Sequence, residues 1–406
     1  MNFYNQNYSP FYSDYSNEPA LQVVPSIIRT PVSTISQPTN PIFEQRYFPF
    51  PKNNMDNIPS SSSKLNNQTE VFFNSIGSNR PFVISPFNMI HALLPIYDGS
   101  KGKVKDELEK RFNFHPQLYN TFLEILNQTK KSDTISIQAI FLVEKKFNLY
   151  LSYKNRVNKI ALVEQVDQRN SKQSIRKVNK FIEDNTRGIF KNIMNENDSL
   201  SDITIVSTIY FKSQWKSQFD KNMTKPETFH SSKPRKVNMM TQRETKHSYL
   251  EYGNFQLLEM DYKDDQFSMG FILFKNGSGK IDGVIPYLGH LHQEEIDTVK
   301  IPRFQQRTSL NLKKLLLRNG VSSIENMDMH HVGDFKDTWR IDKAIHECFI
   351  DVNEEGVEAS AFTQISMTYN CVSEPKPKIM FIADRPFTYY IRYKPTNTIL
   401  FTGLYA

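Results

Sequence analysis

The residues able to do chemistry are scattered along this chain and do not assemble into a catalytic set. His290-Leu-His-Gln-Glu-Glu295 and the pair His330-His331 offer imidazole and carboxylate groups. Neither has cysteine partners or a second ligand pair at the spacing a closed metal site needs, so no metal and no cofactor is expected. The two cysteines are Cys348 and Cys371. A thiol becomes a nucleophile when a nearby base or positive charge favours the thiolate, and the sequence supplies no base beside Cys371. There is no G-x-S-x-G elbow, no P-loop and no H-E-x-x-H run, and Asn276-Gly-Ser-Gly279 reads as a turn. No enzyme is expected.

A different kind of chemistry is suggested by Asp351-Val-Asn-Glu-Glu-Gly-Val-Glu-Ala-Ser-Ala-Phe-Thr363. From Val357 the side chains alternate: Val357, Ala359, Ala361 and Thr363 would face one side of a sheet, and Glu358, Ser360, Phe362 and Gln364 the other. The first set is small and uncharged. Ala and Ser are weak strand formers, and Gly356 supplies a joint before them, so the segment can enter a sheet without being strongly driven there. The bland alternative is an acidic turn followed by a helix. Ile365 to Pro377 lacks a long apolar run and ends in Glu374-Pro-Lys-Pro377, which suits an exposed loop.

The elements that must position this stretch follow from local patterns. Asn67 to Ile76 predicts a short helix, and Pro81-Phe-Val-Ile-Ser-Pro86 a buried strand running into a helix with Pro86 in its first turn. Thr134 to Leu149 contains a β-rich run that predicts a central strand. Val178 to Ile189 predicts a helix closed by Gly188. Ile205 to Trp215, Val237-Asn-Met-Met240, the run Leu257 to Leu273 and Val299 to Phe304 predict further strands, and Leu310 to Gly320 a glycine-closed helix. Phe387 to Tyr393 and Thr398 to Leu404 alternate around Lys394-Pro-Thr-Asn397, a hairpin.

Composition bounds the rest. With 406 residues and 38% hydrophobic content the chain can bury a large core. Residues 1–63 hold 9 of the 21 prolines, many Asn, Ser and Tyr, and the run Ser60-Ser-Ser-Ser63. That composition predicts a disordered, low-complexity tail ahead of a domain spanning 64–406. The formal charge of +7 resides in the body, because the tail's three basic residues face four acidic ones. Most lysines stand beside acids, as in Lys101-Gly-Lys-Val-Lys-Asp-Glu107, so a solvated surface is expected first and weak polyanion binding a distant second. Neither a nucleic acid nor a membrane is an expected partner. No signal peptide is visible and the cysteines are few, so a cytoplasmic or nucleocytoplasmic location is expected.

Several of these segments resemble one family. Asn353-Glu-Glu-Gly-Val-Glu-Ala-Ser-Ala361 closely matches the hinge of the serpins, and Phe381-Ile-Ala-Asp-Arg-Pro-Phe387 the block after their reactive loop. Ile84-Ser-Pro86, Gly99 to Leu108, the strand ending at Trp215 and His346 continue the match in the same order. Asn88, Ser207 and Ser213 stand where the family usually has Ser, Asn and Gly, and Val104 and Val357 replace customary threonines. The resemblance covers about residues 65–406 in some eight motifs. It implies an α+β fold: a single serpin-like domain with a large central mixed sheet, surrounding helices, smaller sheets and an exposed reactive loop.

It also implies a suicide inhibitor, probably monomeric by the family's habit, whose partner is a target protease. The loop is cleaved, forms an acyl-enzyme and enters the central sheet as a new strand. Glu354, Gly356, Val357, Glu358, Ala359, Ser360 and Ala361 would form the hinge. Ser85, Asn88, Trp215, Arg303 and His346 would form the sheet-opening region, with Arg303 pairing Glu354. Counting from Glu354 places the scissile bond at Asn370-Cys371, with Tyr369-Asn370 the alternative after a slip of one. A chymotrypsin-like serine protease or an asparagine-directed cysteine protease is the expected target. The alternative reading is a non-inhibitory binding or carrier protein of the same fold, and an extracellular location is the family's commoner one.

Overall fold

The computed structural model describes residues 11–14, 60–77, 80–130, 132, 134–198, 200, 202–276, 281–333, 338–356 and 378–406. In chain order the elements begin with β1 (Phe11–Asp14), α1 (Ser60–Ile76), β2 (Phe82–Ile84), α2 (Pro86–Gly99), α3 (Lys103–Phe112) and α4 (Leu118–Thr129). There follow β3 (Ile135–Glu144), α5 (Leu151–Val157), β4 (Leu162–Val166), α6 (Ser171–Asn185), β5 (Ile203–Phe211), β6 (Lys225–Phe229), β7 (Arg235–Tyr252), β8 (Phe255–Asp261) and β9 (Phe267–Phe274). The chain closes with β10 (His292–Pro302), β11 (Phe304–Asn311), α7 (Leu312–Arg318), β12 (Ile341–Val352), β13 (Met380–Ile382), β14 (Phe387–Tyr393) and β15 (Thr398–Tyr405).

The strands make two sheets. The first is six-stranded in the order β1-β11-β12-β5-β3-β4; the second is nine-stranded, β13-β10-β7-β8-β9-β14-β15-β2 with β6 on β7. Burial explains the character of each strand. β9 and β15 are buried along their whole length and read as continuous apolar runs. β11 alternates buried and half-buried residues, the pattern of a strand whose two faces differ. Gly270 on β9 is required by close approach, because a Cβ there would lie 2.0 Å from the Tyr390 ring on β14.

Helix α2 is the post on which both sheets rest. The Ser85 hydroxyl caps it by accepting from the Asn88 N–H, and Pro86 occupies the first turn, where a missing N–H leaves no bond unmade. Nearly every residue of this helix is buried, so it is apolar all round rather than on one stripe. A second, smaller core lies on the opposite face of the first sheet, where Ile175, Val178 and Ile182 of α6 meet Ile140, Leu142, Val206 and Ile345. Those three apolar residues recur at helical spacing, so the helix starts at Ser171, earlier than the apolar run at Val178 indicated. Gly188 lies beyond the helix at φ +77, with its N–H on the Glu183 carbonyl.

Two parts of the segment expected as an unpacked tail have regular structure. Helix α1 starts at Ser60, and Phe11–Asp14 runs parallel to Gln306–Ser309 at the edge of the first sheet. Edge pairing is a backbone interaction and needs little apolar content, which is why composition gave no sign of it.

Candidate functional site

The centre of the first sheet is a seam between β5 and β12. The two strands are parallel, with Ala344 to Phe349 opposite Ile205 to Tyr210. β12 is antiparallel to β11 on its other side, and β3 is antiparallel to β5. A strand entering the seam from the end of β12 would run antiparallel to both neighbours, trading one parallel contact for two antiparallel ones.

Beneath the seam, one side-chain network ties its two walls to α2. The Ser85 N–H donates to His346 Nε2 at 3.2 Å, so the proton of this neutral imidazole sits on Nδ1, 2.9 Å from Ser207 Oγ. Ser207 in turn donates to the Asn88 carbonyl at 3.2 Å. His346 and Ser207 are register partners, so their bond crosses the seam itself. Burial pushes the His346 pKa down to about 3, which keeps the ring neutral and able to accept from Ser85. The Asn88 amide adds a contact to the Gln138 carbonyl on β3 at 3.4 Å and another to His91 Nδ1 at 3.2 Å. His91 Nε2 donates to the Ile160 carbonyl at 2.6 Å.

At the end of β12 a second cluster clamps the chain. Trp215 Nε1 donates to the Asn353 carbonyl at 2.8 Å, the Trp215 N–H to the Glu355 carbonyl at 3.0 Å, and the Phe219 N–H to the Glu354 carbonyl at 2.9 Å. Trp215 stacks on Tyr262 with ring centroids 4.5 Å apart, which fixes the indole. Glu354 is buried and faces the Arg303 guanidinium at 3.5 Å; Glu355 pairs with Lys221. Asp351 accepts from Gln305 at 3.1 Å, and burial, opposed by that bond, raises its pKa. Gly356 follows with φ +91, where a Cβ would stand 2.4 Å from the Ser213 carbonyl oxygen and the Trp215 nitrogen. Only glycine fits this joint.

The residues named from sequence thus fall into two clusters. Ser85, Asn88 and His346 meet beneath the seam, while Trp215 and Arg303 meet Glu354 and Gly356 at its end. Val357, Glu358, Ala359, Ser360 and Ala361, and both placements of the scissile bond at Tyr369, Asn370 and Cys371, lie outside the described residues. The chain resumes at Lys378 and pairs β13 with β10. Sequence reasoning missed His91, whose place three residues after Asn88 on one helix face was the available signal. It also missed Asp351, Gln138 and Arg307. Arg307 binds Glu347 at 3.2 Å and covers the Phe190 ring, joining β11 to the chain that follows α6. Among the described residues no three His, Cys, Asp or Glu side chains form a metal-holding group. Cys348 is buried, and desolvation pushes its thiol well up.

The comparisons with known proteins agree on one fold. The sequence profile described as "Serpin (serine protease inhibitor)" matches residues 71–406. An uncharacterized serpin-like protein of Thermococcus kodakarensis is 28% identical over 80% of this chain and 80% of its own. The human leukocyte elastase inhibitor is 28% identical over 82% of this chain and 96% of its own. The solved structure of thyroxine-binding globulin in complex with thyroxine superposes with a TM-score of 0.73 at 19% identity, covering 85% of this chain and 98% of that one. The family of protease inhibitors is the frame into which the seam, the network beneath it and the clamp at its end fall, and the chain belongs to the serpins.

Proposed function

We propose that the protein is a suicide-substrate protease inhibitor whose reactive loop, once cut, enters the seam between β5 and β12. The observation that carries this reading is the closed parallel seam with a glycine joint at its exit. The 21 residues 357–377 leave that joint, enough for a strand of a dozen residues and its connection. Strand addition by a cleaved reactive loop is the established inhibitory mode of the family.

The energetics are favourable. A dozen new ladder hydrogen bonds at about 1 kcal/mol each give on the order of 10 kcal/mol. Displacing one oxyanion-hole donor of the bound protease costs it about 3–4 kcal/mol of transition-state stabilisation. Insertion therefore has driving force to spare for distorting the acyl-enzyme. Val357, Ala359, Ala361 and Thr363 are small and uncharged, as burial in a sheet demands. The scissile bond is Asn370-Cys371 or Tyr369-Asn370, and the target a chymotrypsin-like or asparagine-directed protease. The chain itself is no catalyst.

A non-inhibitory carrier is the second reading, favoured by the Asn88 amide, which adds a tie to β3 that must be accommodated if the sheet is to open. Thermal unfolding before and after nicking between Thr368 and Ser373 decides between them. Insertion should raise the melting temperature by on the order of 20 °C, at about 2 °C per kcal/mol for a domain of this size. No rise would leave the carrier reading standing.

A further inference from the structure

A cavity of about 730 Å³ opens beside the first sheet, away from the seam. It exists because two neighbouring strands differ in reach. β3 pairs with β5 along Ile135 to Val143, but with β4 only from Ile140 onward. Ile135–Ala139 therefore have no second strand, and α4, α5 and α6 close around the gap without filling it.

The lining has two characters. Leu126, Ile137, Leu162 and Phe181 contribute apolar surface. Lys130, Lys154 and Lys159 also line the cavity, and none of the three is ion-paired among the described residues; Glu164 is the single acid there. Ammonium groups left without counterions beside apolar wall complement a molecule with an apolar body and one negative head, and the volume suits a small organic ligand. The wall is also preformed, since two of its carbonyls are held in place, Ile160 by His91 and Gln138 by Asn88. A preformed site does not spend binding energy on ordering itself.

We propose that this cavity binds an amphipathic monoanion, its apolar body against Leu126, Ile137, Leu162 and Phe181 and its acid group among Lys130, Lys154 and Lys159. The site is independent of whether the protein inhibits a protease.

The test is a fluorescence titration of the full chain with 8-anilinonaphthalene-1-sulfonate, alongside the neutral N-phenyl-1-naphthylamine. The sulfonate should bind saturably at one site per chain and be displaced by dodecanoate but not by dodecanol. The triple variant Lys130→Glu, Lys154→Glu, Lys159→Glu should bind it at least tenfold more weakly. Lys233→Glu, a reversal at an exposed lysine outside the cavity, should not change binding. Because all the substitutions fall on exposed or half-exposed lysines, the variants are expected to fold, and near-ultraviolet circular dichroism checks this. Undiminished binding by the triple variant, or equal binding of the neutral analogue, would overturn the proposal, since either result reports apolar surface alone.

Discussion

Acidification should weaken this protein through three buried histidines. Burial holds His346 neutral with a pKa of about 3, and His91 and His247 with values of about 4. In the unfolded chain each titrates near 6.5. A depressed folded-state value means the stabilisation is complete above 6.5 and is lost as the pH falls, because the unfolded chain takes up a proton the folded one refuses. Each pH unit below 6.5 costs about 1.4 kcal/mol per residue until the folded value is reached. At pH 5.0 the loss is about 2 kcal/mol for each histidine, or about 6 kcal/mol for the three, relative to pH 7.5. Urea unfolding at pH 7.5, 6.5, 5.5 and 5.0 reads this directly. In His346→Gln the loss between the two extremes should shrink by roughly a third. A stability unchanged from pH 7.5 to 5.0, or a pH dependence identical in the variant and the parent, would refute the assignment of a neutral buried imidazole.

Three further outcomes are expected. Gly356→Ala should release the chain from Trp215, since it combines a positive φ costing about 1–2 kcal/mol with contacts to backbone atoms that cannot yield. A red shift in tryptophan emission and faster proteolysis after Asn353 would report it, and an unchanged spectrum would contradict it. Asp351→Asn should stabilise the protein at neutral pH. A carboxyl with a raised pKa contributes most below its unfolded value and loses that contribution as the pH rises through the folded one, so the gain should appear at pH 7.5 and vanish near pH 4. In the inhibitory reading, recombinant protein should be a poor inhibitor of trypsin, because no Arg or Lys lies between Thr363 and Pro375. Potent trypsin inhibition would displace the proposed scissile bond.

How much of this was legible in the sequence depended on whether the relevant signal was local. The strands β9, β14 and β15 and the start of α2 followed from apolar runs, alternation and a Ser-Pro cap, all properties of short windows. Ser85, Asn88 and His346 were found through their motifs. Their meeting depends on the register of β12 against β5, which no window of sequence contains. His91 is one more buried polar residue on a helix apolar all round, and its partner Ile160 is 69 positions away. The cavity was invisible for the same reason: it comes from the unequal pairing of β3 with its two neighbours, a property of the sheet rather than of either strand.

The parallel seam has a consequence for how such a molecule acts over time. Closed, β5 and β12 satisfy each other; opened around an added strand, both gain an antiparallel neighbour, and nothing in the chain resets the change. In the inhibitory reading each molecule is therefore a reagent. Its capacity is a stock counted in closed molecules, and endpoint titration against a protease would measure that stock, while heating or ageing that fills or collapses the seam would deplete it without changing the protein concentration. Supply would then depend on synthesis to replace what each encounter consumes.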